Sequence, residues 1–217
     1  MESNASLRKG ELALYAIIPA ADGPALAPSR SSLALVTFGP FAAIAGPPKR
    51  EGDLAQRALA HERVVRGALL RCSSVIPFRH GTELPSRDAI VRLLERNRVA
   101  LRSMLDRFSG RVEMGIKIRL PEQTGDLVRA LFLPQTVSMA LANVRALVAA
   151  PDDLSERIHP EPGRATFEGA YLIDRDRLSA FWRAADVVRL REPSFPVLDS
   201  GPWAAYSFCA PLRGGGQ

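Results

Sequence analysis

The side chains that could carry out chemistry are few in this chain, and they lie far apart in its sequence. Its three histidines are His61, His80 and His159, and its two cysteines are Cys72 and Cys209. A zinc site takes four ligands, which two unanchored histidines do not supply. A catalytic thiol needs a neighbouring base, and neither cysteine has one close in the sequence. Only a spatial cluster of His61, His80 and Cys72 would indicate a metal-dependent or thiol enzyme.

Other familiar catalytic motifs are missing from the sequence. It contains no glycine-rich phosphate loop, no Gly-x-Ser-x-Gly elbow and no His-Glu-x-x-His zinc motif. Glu113 and Lys117 lie four residues apart in an alternating segment, so they share one face of a strand. We expect them to face solvent or another domain rather than to form an acid–base pair. The sequence therefore predicts no enzymatic activity, no cofactor and no metal.

The elements that would hold these residues follow from the hydrophobic pattern. After Asp53, a typical helix cap, apolar side chains recur at helical spacing up to residue 72. His61 lies on this face, so we expect a core histidine with one hydrogen bond, and His80 lies in the loop 79–85, which could meet it. The predicted inward face consists of Leu54, Ala58, His61, Val65, Ala68, Leu69 and Cys72.

The remaining pattern predicts an α+β protein with two domains and a C-terminal segment. In the first half we predict strands at 12–18, 33–38, 41–45 and 74–78, and one long helix at 86–107 capped by Ser86. In the second half we predict strands at 111–120, 166–173 and 195–208, helices at 124–132, 136–148 and 175–188, and a polar loop or short helix at 151–164. This order suggests an antiparallel sheet with helices on one side, ferredoxin-like with a helical insertion. The domains would be 1–109 and 110–197, followed by a strand and tail at 198–217.

The excess of basic over acidic side chains lies in the first half of the chain. Residues 1–110 carry 16 basic and ten acidic side chains, which accounts for the whole net charge of +6. In the predicted helix 86–107 the arginines flank the apolar stripe, and Glu95 can pair with Arg92 or Arg98. This pattern is typical of a solvated amphipathic helix. A small basic nucleic-acid-binding module is the alternative, and its binding would weaken steeply with added salt.

Aromatic side chains are concentrated near the C-terminus. Trp203, Tyr206 and Phe208 follow a turn-forming Ser-Gly-Pro, and we expect them to anchor a chain end that would otherwise fray. No apolar run at the N-terminus could serve as a signal peptide, and the apolar stretch 33–46 is too short and too broken to span a bilayer. We therefore expect a soluble cytoplasmic protein.

Three blocks of the sequence, taken in chain order, match the motifs of one protein family. The first is His61-Glu62 followed by Val75-Ile-Pro-Phe-Arg-His-Gly-Thr82, similar to the family's Leu-Pro-x-Arg-Phe-Gly-Thr loop. The second is Glu113-Met-Gly-Ile-Lys117, similar to a Glu-x-x-x-Lys strand. The third is Gly169-Ala-Tyr-Leu-Ile-Asp-Arg175 and then Ser200-Gly-Pro-Trp-Ala-Ala-Tyr-Ser-Phe208, similar to a Thr-Gly-Pro-Trp-Pro-Pro-Tyr-Ser-Phe ending. Together the three blocks resemble the GvpF/GvpL family of gas vesicle proteins. His80 stands where the family usually has Phe, and Ala204-Ala205 replace two prolines.

The resemblance implies a non-enzymatic accessory or minor structural protein of gas vesicle assembly. Family members have two α+β domains, the second a modified ferredoxin-like fold, and a C-terminal tail that holds the domains together. They associate with the small hydrophobic shell protein, and a chaperone-like role is proposed for them. On this basis we expect partners among the vesicle proteins, through Arg92, Arg96 and Arg98, and we expect Trp203, Tyr206 and Phe208 to pack the tail across the domain junction.

Overall fold

The chain folds into two compact units, each of which combines helices with an antiparallel sheet. The structure, a computed structural model, describes residues 11–26, 32–120, 135–161, 164–191 and 193–214. Unit 1 consists of Met1–Gly110 together with Ala204–Gln217, and unit 2 consists of Arg111–Trp203. None of the helices in these ranges combines the length and apolar character that a bilayer-spanning helix needs.

The sheet of unit 1 is built around a buried central strand. Its strands are β1 (Leu12–Pro19), β2 (Ala34–Phe38), β3 (Phe41–Gly46), β4 (Ile76–Pro77) and β5 (Glu83–Leu84). Their order is β2-β3-β1-β4, and β5 also pairs with β1. A turn at Gly39-Pro40 joins β2 to β3, with Phe38 opposite Phe41. Gly39 adopts a φ of 55°, a conformation in which glycine carries no steric penalty.

The first helix of unit 1, α1 (Leu54–Leu69), begins where the sequence predicts. The Asp53 carboxylate accepts a hydrogen bond from the Gln56 amide at 2.8 Å, and the Gln56 side chain accepts one from the Asp53 amide at 3.3 Å. This reciprocal pair is a capping box. The predicted inward face is correct from His61 onward, but Leu54 is 66% exposed. The buried face of α1 therefore begins later than the pattern indicated.

The prediction of one long helix at 86–107 is wrong. Two helices occupy this segment, α2 (Arg87–Arg96) and α3 (Arg98–Phe108), and Ser86 caps the first as expected. The break is at Asn97, whose backbone has φ −108° and ψ 15°. Asparagine favours such a break because its side chain competes for backbone hydrogen bonds. The Asn97 amide group donates to the Leu93 carbonyl at 2.8 Å.

Unit 2 follows the order strand, helix, two strands, helix, strand. Its elements are β6 (Arg111–Leu120), α4 (Gln135–Arg145), β7 (Leu154–Glu161), β8 (Arg164–Asp174), α5 (Leu178–Arg191) and β9 (Val197–Trp203). The four strands pair antiparallel in the order β7-β8-β6-β9. The apolar face predicted for β6 is buried, from Val112 to Leu120. The helix predicted at 124–132 lies outside the described residues.

Two segments of unit 2 differ from the sequence-based expectation. Residues 151–164 were predicted as a loop or short helix, but after a short 3-10 turn they form β7, which pairs with β8 over eight residues. β7 is an edge strand with many polar side chains, so pairing with β8 determines its structure more than its own propensity does. The last strand ends at Trp203 rather than at residue 208, and Tyr206–Phe208 form a 3-10 turn.

Candidate partner-binding surface and C-terminal tail

The three arginines proposed for partner binding lie at the junction of α2 and α3. Arg92 and Arg96 are one turn apart on α2, and Arg98 is the first residue of α3. All three are exposed, and none forms an ion pair within the described ranges, so the pairing expected from Glu95 is not formed. Val99, which follows Arg98, is 81% exposed. The arginine surface, defined as Arg92, Arg96, Arg98 and Val99, thus combines unneutralised positive charge with an exposed apolar side chain.

The bend beneath the arginine surface is held by the C-terminal tail. Asn97 is buried, and its side chain makes a two-point contact with the backbone of Arg213. Its Nδ2 donates to the Arg213 carbonyl at 3.0 Å, and its Oδ1 accepts from the Arg213 amide at 2.8 Å. The other N–H of Asn97 Nδ2 donates to the Leu93 carbonyl, so the side-chain amide uses both of its donors. The tail therefore contacts the residue that sets the angle between α2 and α3.

Further contacts fix residues 204–214 to the helices of unit 1. The Tyr206 hydroxyl donates to the Glu62 carboxylate on α1 at 2.9 Å. The guanidinium of Arg107 on α3 lies 5.6 Å from the centre of the Phe208 ring, within the range of a cation–π contact. Ala204, Ala205 and Leu212 are buried. The tail beyond residue 203 is therefore an integral part of unit 1.

The three tail aromatics do not all belong to one unit. Trp203 is the last residue of β9 and pairs with Glu113 of β6, so it belongs to unit 2. Tyr206 and Phe208 belong to unit 1. The chain thus passes from one unit to the other between Trp203 and Ala204.

Glu62 is the titratable group that the tail most directly affects. Its burial raises the pKa of the carboxyl group, whereas the Tyr206 hydroxyl and the charge of Arg66 act in the opposite direction. The sequence offered no sign of this pairing, because the two residues lie 144 positions apart.

The two neighbouring histidines form a packed cluster in unit 1. His61 is buried, donates from Nε2 to the Phe78 carbonyl at 2.7 Å and stacks on Tyr15 with ring centres 4.8 Å apart. The His80 ring meets it edge-on at 5.8 Å. These contacts confirm a core histidine with one hydrogen bond. Burial lowers the pKa of His61 and the nearby His80 lowers it further, although the bond to Phe78 opposes this. No group of three or more potential metal ligands occurs among the residues described.

A polar cluster in unit 2 was not foreseen from the sequence. Arg145 forms a two-point ion pair with Glu156 at 2.8 and 2.9 Å, and the Tyr171 hydroxyl donates to the same carboxylate at 2.8 Å. Burial raises the pKa of Tyr171, and the negative charge of Glu156 raises it further. Glu156 lies in β7, which the sequence pattern did not predict as a strand. The cluster ties α4 to β7 and β8, and its role is structural.

Lys117 and His159 face a common carboxylate on the surface of the same sheet. Lys117 pairs with Glu168 at 2.6 Å, and the His159 ring lies 3.3 Å from its other oxygen. The hydrogen bond from Lys117 is the largest cause of the lowered pKa of Glu168. Lys117 is exposed, whereas Glu113 is buried.

Comparison with known proteins identifies the family. The family model described as "Gas vesicle synthesis protein GvpL/GvpF" matches residues 12–136 and 135–210. Gas vesicle protein F1 of Halobacterium salinarum is 28% identical over 151 residues, which cover 69% of this chain and 67% of the relative. Gas vesicle protein L of a Streptomyces species is 28% identical over 187 residues, covering 71% and 69%.

Solved structures of the same type share the fold. The crystal structure of GvpF from Anabaena sp. matches with a TM-score of 0.74 at 17% identity, covering 93% of this chain and 96% of that one. GvpF from Microcystis aeruginosa matches with a TM-score of 0.71 at 14% identity, covering 92% and 99%. At these identities the similarity shows the fold alone. Because the family model spans nearly the whole described sequence, this chain belongs to the GvpL/GvpF family of gas vesicle synthesis proteins.

Proposed function

We propose that this chain is a non-enzymatic assembly factor that binds the small hydrophobic shell protein of gas vesicles through the arginine surface of unit 1. Membership of the family supports a role in gas vesicle assembly. One observation supports binding of the shell protein through this surface: Arg92, Arg96 and Arg98 are exposed and have no ion-pair partner among the described residues. Unpaired guanidinium groups are suited to binding carboxylates of a partner.

A chaperone-like action follows from the chemistry of the proposed partner. A shell subunit that is largely apolar must be shielded from self-association until it joins the growing shell. Burial of an apolar contact provides affinity for the partner, and charges beside it raise the rate of association. Val99, which is 81% exposed next to Arg98, supplies the apolar element. The protein would then act in the cytoplasm and at the gas vesicle, together with other vesicle accessory proteins.

We also propose roles for the tail and for unit 2. Tyr206 and Phe208 contact helices of unit 1, whereas Trp203 ends a strand of unit 2, which supports the proposal that this segment bridges domains at 1–109 and 110–197. The antiparallel order β7-β8-β6-β9, with one helix before β7 and one before β9, supports a ferredoxin-like classification of unit 2. Nucleic-acid binding is less favoured because the exposed carboxylates of Asp88 and Glu95 lie among the arginines of α2.

The test is co-purification of the shell protein with charge-reversed variants. Exchange of Arg92, Arg96 and Arg98 for Glu should abolish retention of the shell protein, because an attraction becomes a repulsion. The matched control exchanges Arg119, Arg157 and Arg183, which are exposed in unit 2, for Glu and changes the net charge by the same amount. Equal retention by both triple variants would contradict the proposal.

A further inference from the structure

A second surface of unit 1 has the features of a ligand-binding groove. It lies beside α1 and the segment that follows β3, has a volume of about 720 Å³, and is open to solvent. This volume is in the range of ligand pockets in proteins. Its apolar lining is formed by Tyr15, Leu33, Pro47, Pro48, Ala60 and Val64.

One cation in this groove is held in place without a partner. Arg57 of α1 is half-buried, and its Nε is buried with no hydrogen-bond partner in the described chain. A buried donor without an acceptor is uncommon, because it loses its bond to water and gains nothing in return. Arg57 lines both the groove and a small cavity next to His61 and His80. Its position is therefore defined by packing rather than by a counter-charge.

Two of the cations that line the groove form no ion pair with the described residues. Arg50 is already occupied, since it pairs with both Glu11 and Glu83 at 2.7 Å. Lys49 lines the same groove and has no ion-pair partner among the described residues. Lys49 and Arg57 therefore remain available to a ligand, and only Glu51 among the groove residues opposes a negative one.

We propose that this groove binds an acidic side chain of an extended protein segment, with the carboxylate at Arg57 and Lys49 and apolar neighbours along the groove. A carboxylate can form a two-point pair with the terminal nitrogens of the Arg57 guanidinium, which the buried Nε holds in place. The proline, tyrosine and aliphatic walls suit the apolar side chains of a peptide better than they suit the sugar and phosphates of a nucleic acid. This inference goes beyond the proposed function, because the groove is separate from the arginine surface and its test needs no shell protein.

The experiment is an NMR titration of the full chain, labelled with ¹⁵N, that follows the Arg57 Nε–H resonance. The probes are N-acetyl-Leu-Glu-Val-Leu-amide and its Gln analogue, which differ only in the charge of one side chain. We expect the Glu peptide to shift the Arg57 resonance at saturation, and the Gln peptide to bind at least about tenfold more weakly, as a charge-assisted bond requires.

Variants assign the effect to this residue. In Arg57→Gln the Glu peptide should lose its preference over the Gln peptide, whereas Arg63→Gln, an exposed change on the same helix, should keep it. Arg57→Lys retains the positive charge but loses the planar guanidinium, so it should bind the Glu peptide with intermediate affinity. Circular dichroism verifies that each variant is folded. Equal binding of the two peptides would overturn the proposal, as would an Arg57 resonance that neither peptide shifts. Inorganic phosphate shifting this resonance as strongly as the Glu peptide would also overturn it, in favour of a general anion site.

Discussion

Replacing Asn97 with alanine should release the C-terminal tail from the bend between α2 and α3. The change removes three hydrogen bonds, two to the Arg213 backbone and one to the Leu93 carbonyl. At about 1 kcal/mol each, these bonds contribute roughly 3 kcal/mol. Alanine gains little from helix propensity, because residue 97 lies at the break between two helices, and water can partly solvate the exposed Arg213. The two bonds to Arg213 hold the tail, so a loss of about 1–2.5 kcal/mol should appear there.

Native-state hydrogen exchange is the suitable assay, because it reports local opening of a single segment. The Arg213 amide should exchange about 5- to 70-fold faster in the Asn97→Ala variant, which is the predicted free energy expressed as a ratio. Amides of β6 in unit 2 should be unaffected. Asn143→Ala, an exposed change on α4, is the matched control and should leave the tail unchanged. Unchanged protection of the Arg213 amide in Asn97→Ala would refute the reasoning.

Three further predictions concern single groups. Tyr206→Phe should destabilise the tail by about 1 kcal/mol and raise the pKa of Glu62 further, because the hydroxyl that opposes its upward shift is lost; a carbon-13 titration of the Glu62 carboxyl tests this, and a lower pKa would contradict it. The lowered pKa of His61 means that the unfolded chain binds a proton more readily, so stability present above about pH 6.5 should be lost as the pH falls below that value. Urea unfolding between pH 7.5 and 5.5 should show this loss in the unmodified chain and in His159→Gln, and a smaller loss in His61→Phe. The same dependence of the free energy of unfolding on pH in all three proteins would argue against it. Gly201→Ala should destabilise β9 by about 1–3 kcal/mol, because φ is 118° and the new Cβ would lie 2.8 Å from Met114 Sδ and 2.9 Å from the Glu113 carbonyl. Gly214 also has a positive φ, but a Cβ added there would have no atom within 4 Å, so Gly214→Ala should lower the thermal stability less. Equal losses of thermal stability in the two variants would disprove the role of the contact with Met114 and Glu113.

Local signals in the sequence predicted those elements whose structure depends on local interactions. Asp53 and Ser86 cap their helices as expected, and the alternation of residues 111–120 gives β6 its buried face. The core position of His61 followed from helical spacing alone. In each case the residues that determine the structure lie within a few positions of one another, or repeat with the period of one element.

Elements that depend on distant partners were not predictable from the sequence. Asn97 forms its hydrogen bonds to the tail with Arg213, 116 residues away, and no local pattern indicates that pairing. β7 has a polar sequence and forms a strand because β8 pairs with it along its length. The buried Arg57 Nε and the groove around it result from the packing of α1 against the segment after β3, which no periodic pattern encodes. The family resemblance indicated a role in gas vesicle assembly, which no local pattern did.

The most direct test of the central claim is the amount of shell protein that remains soluble and bound when it is co-expressed with this chain. At moderate salt, the tagged chain should retain the shell protein in the soluble fraction, and the variant with Glu at positions 92, 96 and 98 should leave it insoluble. Retention by that variant equal to that of the unmodified chain, with both shown to be folded, would contradict binding through the arginine surface.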